Sequence, residues 1–320
     1  MKLLLLVNAS ASSVTPRVRV LIQEALQADH DVTAAETSRR GHASRLAKGA
    51  VADGYDVVVV LGGDGTVNEA ANGLAGSSTA LGLLPGGSTN VFARTIGFTN
   101  DPVEAAAELL SALRVPQRSI RRIGLGSAND RYFLFHAGMG FDAAVVEQVE
   151  RRGSLKRFAG HPLFLYATVD TWLRHYDRSK PHFDIVVGPS SAPGGLGGAS
   201  REIPGVYFAI CIKTNPYTFL GNRPLDVAPE AGLDSGLTLV ALQTLSLPTV
   251  ARVVGATMTG RGGAHLAKYK GLAYASDLTT LDVRGRGPFP YQLDGDYLGQ
   301  VDQLELRYQP DLLSLVIPMA

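Results

Sequence analysis

Three short segments carry residue types suited to phosphate chemistry. The first is Leu61-Gly-Gly-Asp-Gly-Thr-Val-Asn-Glu69, set between the apolar run Asp56–Leu61 and a helix-like stretch over Val67–Leu74. Glycines at a strand-to-helix turn let the backbone come close to phosphate. The helix start adds unpaired N–H groups and the positive end of its dipole. A carboxylate at Asp64 would repel phosphate directly, but it suits a Mg²⁺ ion lying between protein and polyphosphate. The plain alternative is a tight turn with a solvated Asp64. The second segment, Leu84-Pro-Gly-Gly-Ser-Thr-Asn-Val-Phe-Ala-Arg94, also follows an apolar run. Ser88, Thr89 and Asn90 suit either helix caps or ligands for phosphate and ribose. The third, Asn8-Ala-Ser-Ala-Ser12, ends the first apolar run of the chain. At the carboxyl edge of a parallel sheet the three loops would meet at one crevice.

The first third of the chain has the pattern of such a sheet. Leu3–Val7, Asp56–Leu61 and Leu81–Leu84 are short continuous apolar runs, as expected of strands buried on both faces. Helical signals alternate with them. Thr15 and Pro16 open a helix with Val18, Leu21, Ile22, Ala25 and Leu26 at helical spacing, and Asp101-Pro102 opens another that runs to Leu113. After about residue 120 strand-like runs dominate. They are Tyr132–His136, Phe183–Val187, Val206–Ile212, Leu237–Leu242, Leu278–Val283 and Leu304–Tyr308, with helical stretches near 155–176 and 248–259. Gly188–Ser200 reads as a flexible loop, because strand signals continue on both sides of it. The prediction is an α/β protein of two domains. An N-terminal parallel-sheet nucleotide-binding domain covers 1–124, and a β-rich, β-sandwich-like domain covers 125–308. The tail 309–320 is free to return to the first domain.

Bulk properties narrow the function. A chain of 320 residues is long for one core. A formal net charge of +1 gives no electrostatic case for nucleic acid as a partner. The one cysteine, Cys211, lies in the apolar run Tyr207–Ile212 and reads as a small buried thiol, so no internal disulfide can form. The apolar stretch Leu3–Val7 is too short for a secretory signal, and no run approaches the ~20 residues of a membrane span. The expectation is a cytoplasmic enzyme whose membrane contact is peripheral.

Taken in order, the Asn8 loop, Gly62–Thr66, Pro85–Arg94, Gly140-Phe-Asp142 and Asp294-Gly-Asp296 resemble the catalytic domain shared by bacterial diacylglycerol kinases and by sphingosine and ceramide kinases. The first glycine loop alone is shared with NAD kinases; the ordered set is more specific and spans nearly the whole chain. The resemblance implies an NAD kinase-like nucleotide-binding domain, ATP and Mg²⁺ as cofactors, and a membrane lipid hydroxyl as acceptor. It implies that Asn8, Ser10 and Thr37 help hold ATP, and that Gly62, Gly63, Asp64, Gly65, Thr66, Val67 and Asn68 cradle its phosphates. Ser88 and Asn90 would add ligands, and Asp142 would lie at the substrate. Asp296 stands where the family has its presumed general base, a Glu. A structural Mg²⁺ would be held by Glu230 and the carbonyls of Val227 and Gly232. The sequence departs from the pattern at Val91 and Arg122, where acidic residues are expected, and at Asp296, one methylene shorter than Glu. Gly87-Ser-Thr-Asn90 looks closer to the sphingosine and ceramide kinase branch.

Leu155, Phe158, Tyr166, Val169, Leu173 and Tyr176 keep near-helical spacing, with Trp172 beside them. Such a stripe is either a core-facing helix or a wall for acyl chains. Arg151, Arg152, Lys156 and Arg157 beside it are either a solvated face or a contact for anionic headgroups. The leading expectation is an ATP-dependent lipid kinase acting on diacylglycerol or a sphingoid lipid, with a homodimer left open. The rivals are a kinase for a soluble acceptor such as NAD and a non-catalytic nucleotide- or lipid-binding homologue.

Overall fold

The computed structural model describes residues 1–151, 166–188 and 200–319. The chain divides into two compact units, Met1–Leu125 with Pro310–Ala320, and Gly126–Gln309.

The first unit is built on a parallel sheet in the order β2 (Asp31–Glu36), β1 (Lys2–Val7), β3 (Val57–Gly62), β4 (Ala80–Pro85). Every residue of β3 and β4 is buried, which is why these runs are apolar throughout. The edge strand β2 is only half-buried, and its sequence is correspondingly mixed. Helices α1 (Pro16–Gln27), α2 (His42–Ala52), α3 (Asp64–Leu74), α4 (Val91–Thr95), α5 (Pro102–Leu113) and α6 (Pro116–Ser119) fall between or after these strands. The starts of α1 and α5 are where their caps place them. Thr15 Oγ1 accepts the Val18 N–H, and Asp101 accepts those of Val103 and Glu104. The C-terminal tail lies in this unit, with Leu315 paired in parallel to Leu81. Arg122, expected to be acidic by family pattern, has a structural role here. It donates to the carbonyls of Ser77 and Asp311, both at 2.5 Å, and so ties the tail to the turn after α3.

The second unit is antiparallel. β14 (Leu272–Leu278), β13 (Leu237–Leu242), β10 (Phe208–Ile212), β7 (His136–Gly140) and β15 (Thr280–Leu293) follow one another in the sheet. β15 is irregular between Arg284 and Phe289. Its first part pairs with β8 (Phe183–Val187), which in turn pairs with β9 (Arg201–Val206). A long strand, β16 (Asp296–Val316), follows β15 through a two-residue turn. β5 (Ile120–Ala128) and β6 (Arg131–Phe133) form a hairpin, and β11 (Thr218–Leu220) with β12 (Arg223–Leu225) a second, separate one. The inner side chains of these strands, among them Phe133, Phe183, Leu239, Leu281 and Phe289, make one buried cluster. The helices of this unit include α7 (Phe141–Arg151) and α8 (Leu247–Met258), the latter close to the predicted span.

The predicted strand Tyr132–His136 is in fact two, broken at Leu134 and Phe135. Their N–H groups turn to the Asp294 carboxylate instead of to a neighbouring strand. Of the predicted apolar stripe, Leu155 and Phe158 lie outside the described residues, as do Arg152, Lys156, Arg157 and most of the loop predicted over 188–200. The described part holds Tyr166, Val169 and Leu173 exposed, and Trp172 and Tyr176 packed edge-on against Phe141.

Candidate active site

In the first unit the carboxyl ends of β1, β3 and β4 bring the three predicted loops together. Asn8 donates from Nδ2 to Thr66 Oγ1 at 2.9 Å and accepts the Ser10 N–H at 3.1 Å. The Thr37 N–H binds the Val7 carbonyl at 2.9 Å, which places Thr37, just past β2, beside the end of β1. The Gly86 N–H binds the Gly62 carbonyl at 2.8 Å. The two Gly-Gly pairs pack against each other: a Cβ on Gly86 would lie 2.9 Å from the Cα and N of Gly62, closer than any side chain tolerates. Asn90, in the left-handed region at φ 49°, folds back on this loop. It accepts the Gly87 N–H at 2.8 Å and donates to the Gly87 carbonyl at 2.9 Å, leaving Ser88 exposed at the tip. Asn90 is therefore a residue that shapes the loop. α3 begins at this junction with Gly63 as N-cap and no side chain capping it. An uncapped helix start between two glycine loops is the arrangement that receives phosphate through backbone N–H groups. Val67 and Asn68 are buried within α3.

Asp64 does more than line this loop. Its two oxygens accept the N–H groups of Val91 at 2.9 Å and Phe92 at 3.0 Å, so it caps α4. The half-buried guanidinium of Arg94 is shifted below its usual pKa by burial, an effect the Asp64 charge opposes. Among the described residues no group of three or more His, Cys, Asp or Glu could hold a metal. One carboxylate is nevertheless what a Mg²⁺ needs when nucleotide phosphates and water supply its other ligands. Glu69 was not singled out in the sequence. It accepts the N–H groups of Gly41 at 2.7 Å and Ala43 at 3.1 Å, and so fastens the start of α2 to α3.

In the second unit the Asp294-Gly-Asp296 segment is a hairpin turn between β15 and β16, with Leu293 paired to Asp296. Asp294 and Gly295 have φ of 50° and 81°, the positive values of a type I′ turn. Asp294 is buried, and its carboxylate accepts the N–H groups of Leu134, Phe135 and His136 at 2.8, 2.9 and 3.1 Å. Asp296 is the carboxylate left at the surface of the turn, partly exposed and 3.2 Å from the Arg131 guanidinium. Asp294 builds the turn, and Asp296 is presented by it.

Asp142, expected at the substrate, is buried. Tyr217 donates to its Oδ1 at 2.6 Å and Gln292 to its Oδ2 at 2.8 Å. Burial raises its pKa, and those two hydrogen bonds work against the rise. Gln292 also accepts the Gly295 N–H at 2.8 Å, so Asp142 holds the residue that holds the turn. A Cβ at Gly138 would fall 1.6 Å from Asp142 Oδ2, so only glycine fits there. Asp142 is a positioning residue. Nothing in the sequence pointed to Tyr217 or Gln292, which lie 75 and 150 positions away from it.

The expected structural Mg²⁺ does not fit the residues proposed for it. The Val227 carbonyl accepts the Gly263 N–H at 2.8 Å, and the Glu230 carboxylate accepts the Tyr274 hydroxyl. The Gly232 carbonyl receives the ammonium of Lys213 at 2.8 Å, and the Leu233 carbonyl receives it at 3.1 Å. Lys213 is fully buried. Burial pushes its pKa down to about 8, against the pull of Asp234 and Asp277, so it stays charged at neutral pH. The cation at this turn is supplied by the chain itself.

Comparison with known proteins places these features. Residues 2–127 match the diacylglycerol kinase catalytic domain. A Pseudomonas putida protein named "Probable lipid kinase YegS-like" is 30% identical over 284 residues, covering 88% of this chain and 84% of that protein. The chain belongs to the diacylglycerol kinase family of lipid kinases. Within that family, the Bacillus subtilis diacylglycerol kinase is 35% identical over 122 residues, 38% of this chain and 39% of that one. A solved diacylglycerol kinase from Bacillus anthracis superposes with a TM-score of 0.66 at 17% identity, covering 99% of this chain and 96% of that one, a likeness of fold.

Proposed function

We propose that this family member is an ATP-dependent lipid kinase that phosphorylates a hydroxyl of diacylglycerol or a related sphingoid lipid. The observation that carries the reading is the pair of glycine loops closed on each other beside the uncapped start of α3. That arrangement suits the phosphates of ATP, with Asn8, Ser10, Thr37 and Ser88 around it. Mg²⁺ borne on those phosphates would neutralise charge during transfer. In the reaction the lipid hydroxyl oxygen bonds to the γ-phosphorus, the bond to ADP breaks, and the hydroxyl proton passes to the Asp296 carboxylate. A base must come within about 2.6–3.2 Å of that hydroxyl in the productive complex. The Arg131 guanidinium lies 3.2 Å from that carboxylate.

The direct test supplies γ-labelled ATP to the protein with a panel of diacylglycerols, ceramides and sphingoid bases, and with NAD. Label in one lipid class supports the reading and names the acceptor. Label in NAD alone replaces it with the soluble-acceptor reading, and nucleotide binding without transfer to any acceptor replaces it with the non-catalytic one.

A further inference from the structure

The helix α8 is apolar on both sides. Thr249, Ala256 and Thr257 face the core, with Val250 and Val253 half-buried beside them. At helical spacing on the opposite side stand Leu247, Val254 and Met258, 69%, 48% and 55% exposed, with Ala251 and Gly255 between them. A surface helix normally turns charged or polar residues outward, so an outward apolar stripe implies a covering partner. The charge around it says which one. From Ser235 to Ser276 the chain contains no Asp or Glu, while Arg252, Arg261, Lys268 and Lys270 are all exposed. The acidic side chain lying against Gly263 in this stretch, Glu230, is engaged by the Tyr274 hydroxyl. Arg252 and Lys270 also flank a cavity of about 400 Å³ beside the first turn of α8, lined further by Thr244, Thr249, Tyr269 and Gly271.

We propose that α8 and this basic cavity form a docking surface for an anionic lipid bilayer. Leu247, Val254 and Met258 enter the headgroup–acyl boundary, and Arg252 and Lys270 hold a lipid phosphate at the cavity. Helices that lie in a membrane interface combine these two contributions, buried apolar area and attraction to anionic lipid. The surface differs from the basic cluster expected at Arg151–Arg157. It rests on exposure and charge, and it would serve a lipid kinase by bringing the enzyme to its acceptor.

Vesicle sedimentation without nucleotide tests it, using pure phosphatidylcholine and a 70:30 mixture of phosphatidylcholine and phosphatidylglycerol. The wild-type protein should bind the mixture more tightly, and salt should weaken that binding, since exposed charges are screened within about 10 Å at 0.1 M. Each basic residue removed should weaken it roughly five-fold, so Arg252→Gln with Lys270→Gln should lose about 25-fold. Leu247→Ser with Met258→Ser should lose at least about ten-fold with the circular dichroism spectrum unchanged. Three results overturn the proposal: equal binding to both vesicles or to neither, unchanged binding by the variants, or a wild-type dimer in sedimentation velocity that the Leu247→Ser, Met258→Ser variant dissolves. Turnover on a short-chain, water-soluble diacylglycerol reads the kinase activity separately, so failure of one idea leaves the other standing.

Discussion

At Asp296 a single carboxylate serves an ion pair and, in the proposed reaction, a proton transfer, and substitution separates the two. Asp296→Asn keeps the shape of the side chain and weakens the contact with Arg131, which is partly exposed and so contributes about 1 kcal/mol at most. Stability should therefore change little. Turnover should fall about 10²–10⁴-fold with ATP affinity retained, because general base catalysis contributes on that scale. Arg131→Gln is the control, since it removes the same ion pair and leaves the base. If the two variants lose activity equally, the ion pair rather than proton transfer is what matters at this position. Asp296→Glu would restore the reach usual in the family and should keep or raise activity.

At the scale of elements, the glycine loops are a fitted pair. Gly86→Ala places a Cβ against the backbone of Gly62, which cannot yield as a flexible side chain would. The end of β4 must move away from the end of β3. ATP affinity should drop at least about ten-fold while most of the sheet survives, with a stability loss of about 1–3 kcal/mol. Calorimetric titration with a non-hydrolysable ATP analogue measures the first, and normal affinity would show that the paired loops do not form the phosphate cradle. The loops were legible in the sequence because a short apolar run followed by glycine and a helix start is a local pattern. So were α1 and α5, whose caps Thr15 and Asp101 adjoin the helices they start. Much of what positions the site was not local. Asp64 caps a helix 27 residues away, Asp294 replaces strand pairing at Leu134 and Phe135, and Gln292 links Asp142 to the turn at Gly295. Each is a polar side chain meeting a backbone or side-chain group that only the fold brings near. Lys213 left one faint trace, a charged residue directly after the apolar run ending at Ile212.

For the whole molecule the question is which external conditions its stability depends on. Divalent metal should not be one of them for the free protein. With Lys213 bound to the Gly232 and Leu233 carbonyls, EDTA or added Mg²⁺ should shift the wild-type melting temperature by less than about 1 °C, whereas Lys213→Met should lose about 1.5–3 kcal/mol by removing the charged donor that both carbonyls share. A marked Mg²⁺-dependent rise in the wild type without nucleotide would contradict that assignment.

Acid should matter, and His136 supplies a measurable part of the effect. The ring is buried beside Tyr217, its Nδ1 has no hydrogen-bond partner, and burial pushes its pKa down to about 3. Above the ordinary value of 6.5 the ring is neutral folded and unfolded, so it adds no pH dependence there. Between 6.5 and about 3 the unfolded chain binds a proton that the folded chain refuses, so stability falls as pH falls. The slope approaches about 1.4 kcal/mol per pH unit, or roughly 2–3 kcal/mol between pH 6.5 and 4.5. Asp184, held low chiefly by its hydrogen bond from Arg286, adds to the acid loss only below its ordinary value of 3.8. Asp142, raised by burial, acts in the opposite sense: its contribution is full below 3.8 and is lost as pH rises through its folded pKa. The informative quantity is therefore the difference between wild type and His136→Gln in urea denaturation across pH 4.5–7.5. The variant should be the less pH-dependent of the two below 6.5, and parallel curves would mean that His136 protonates in the folded state as readily as in the unfolded chain.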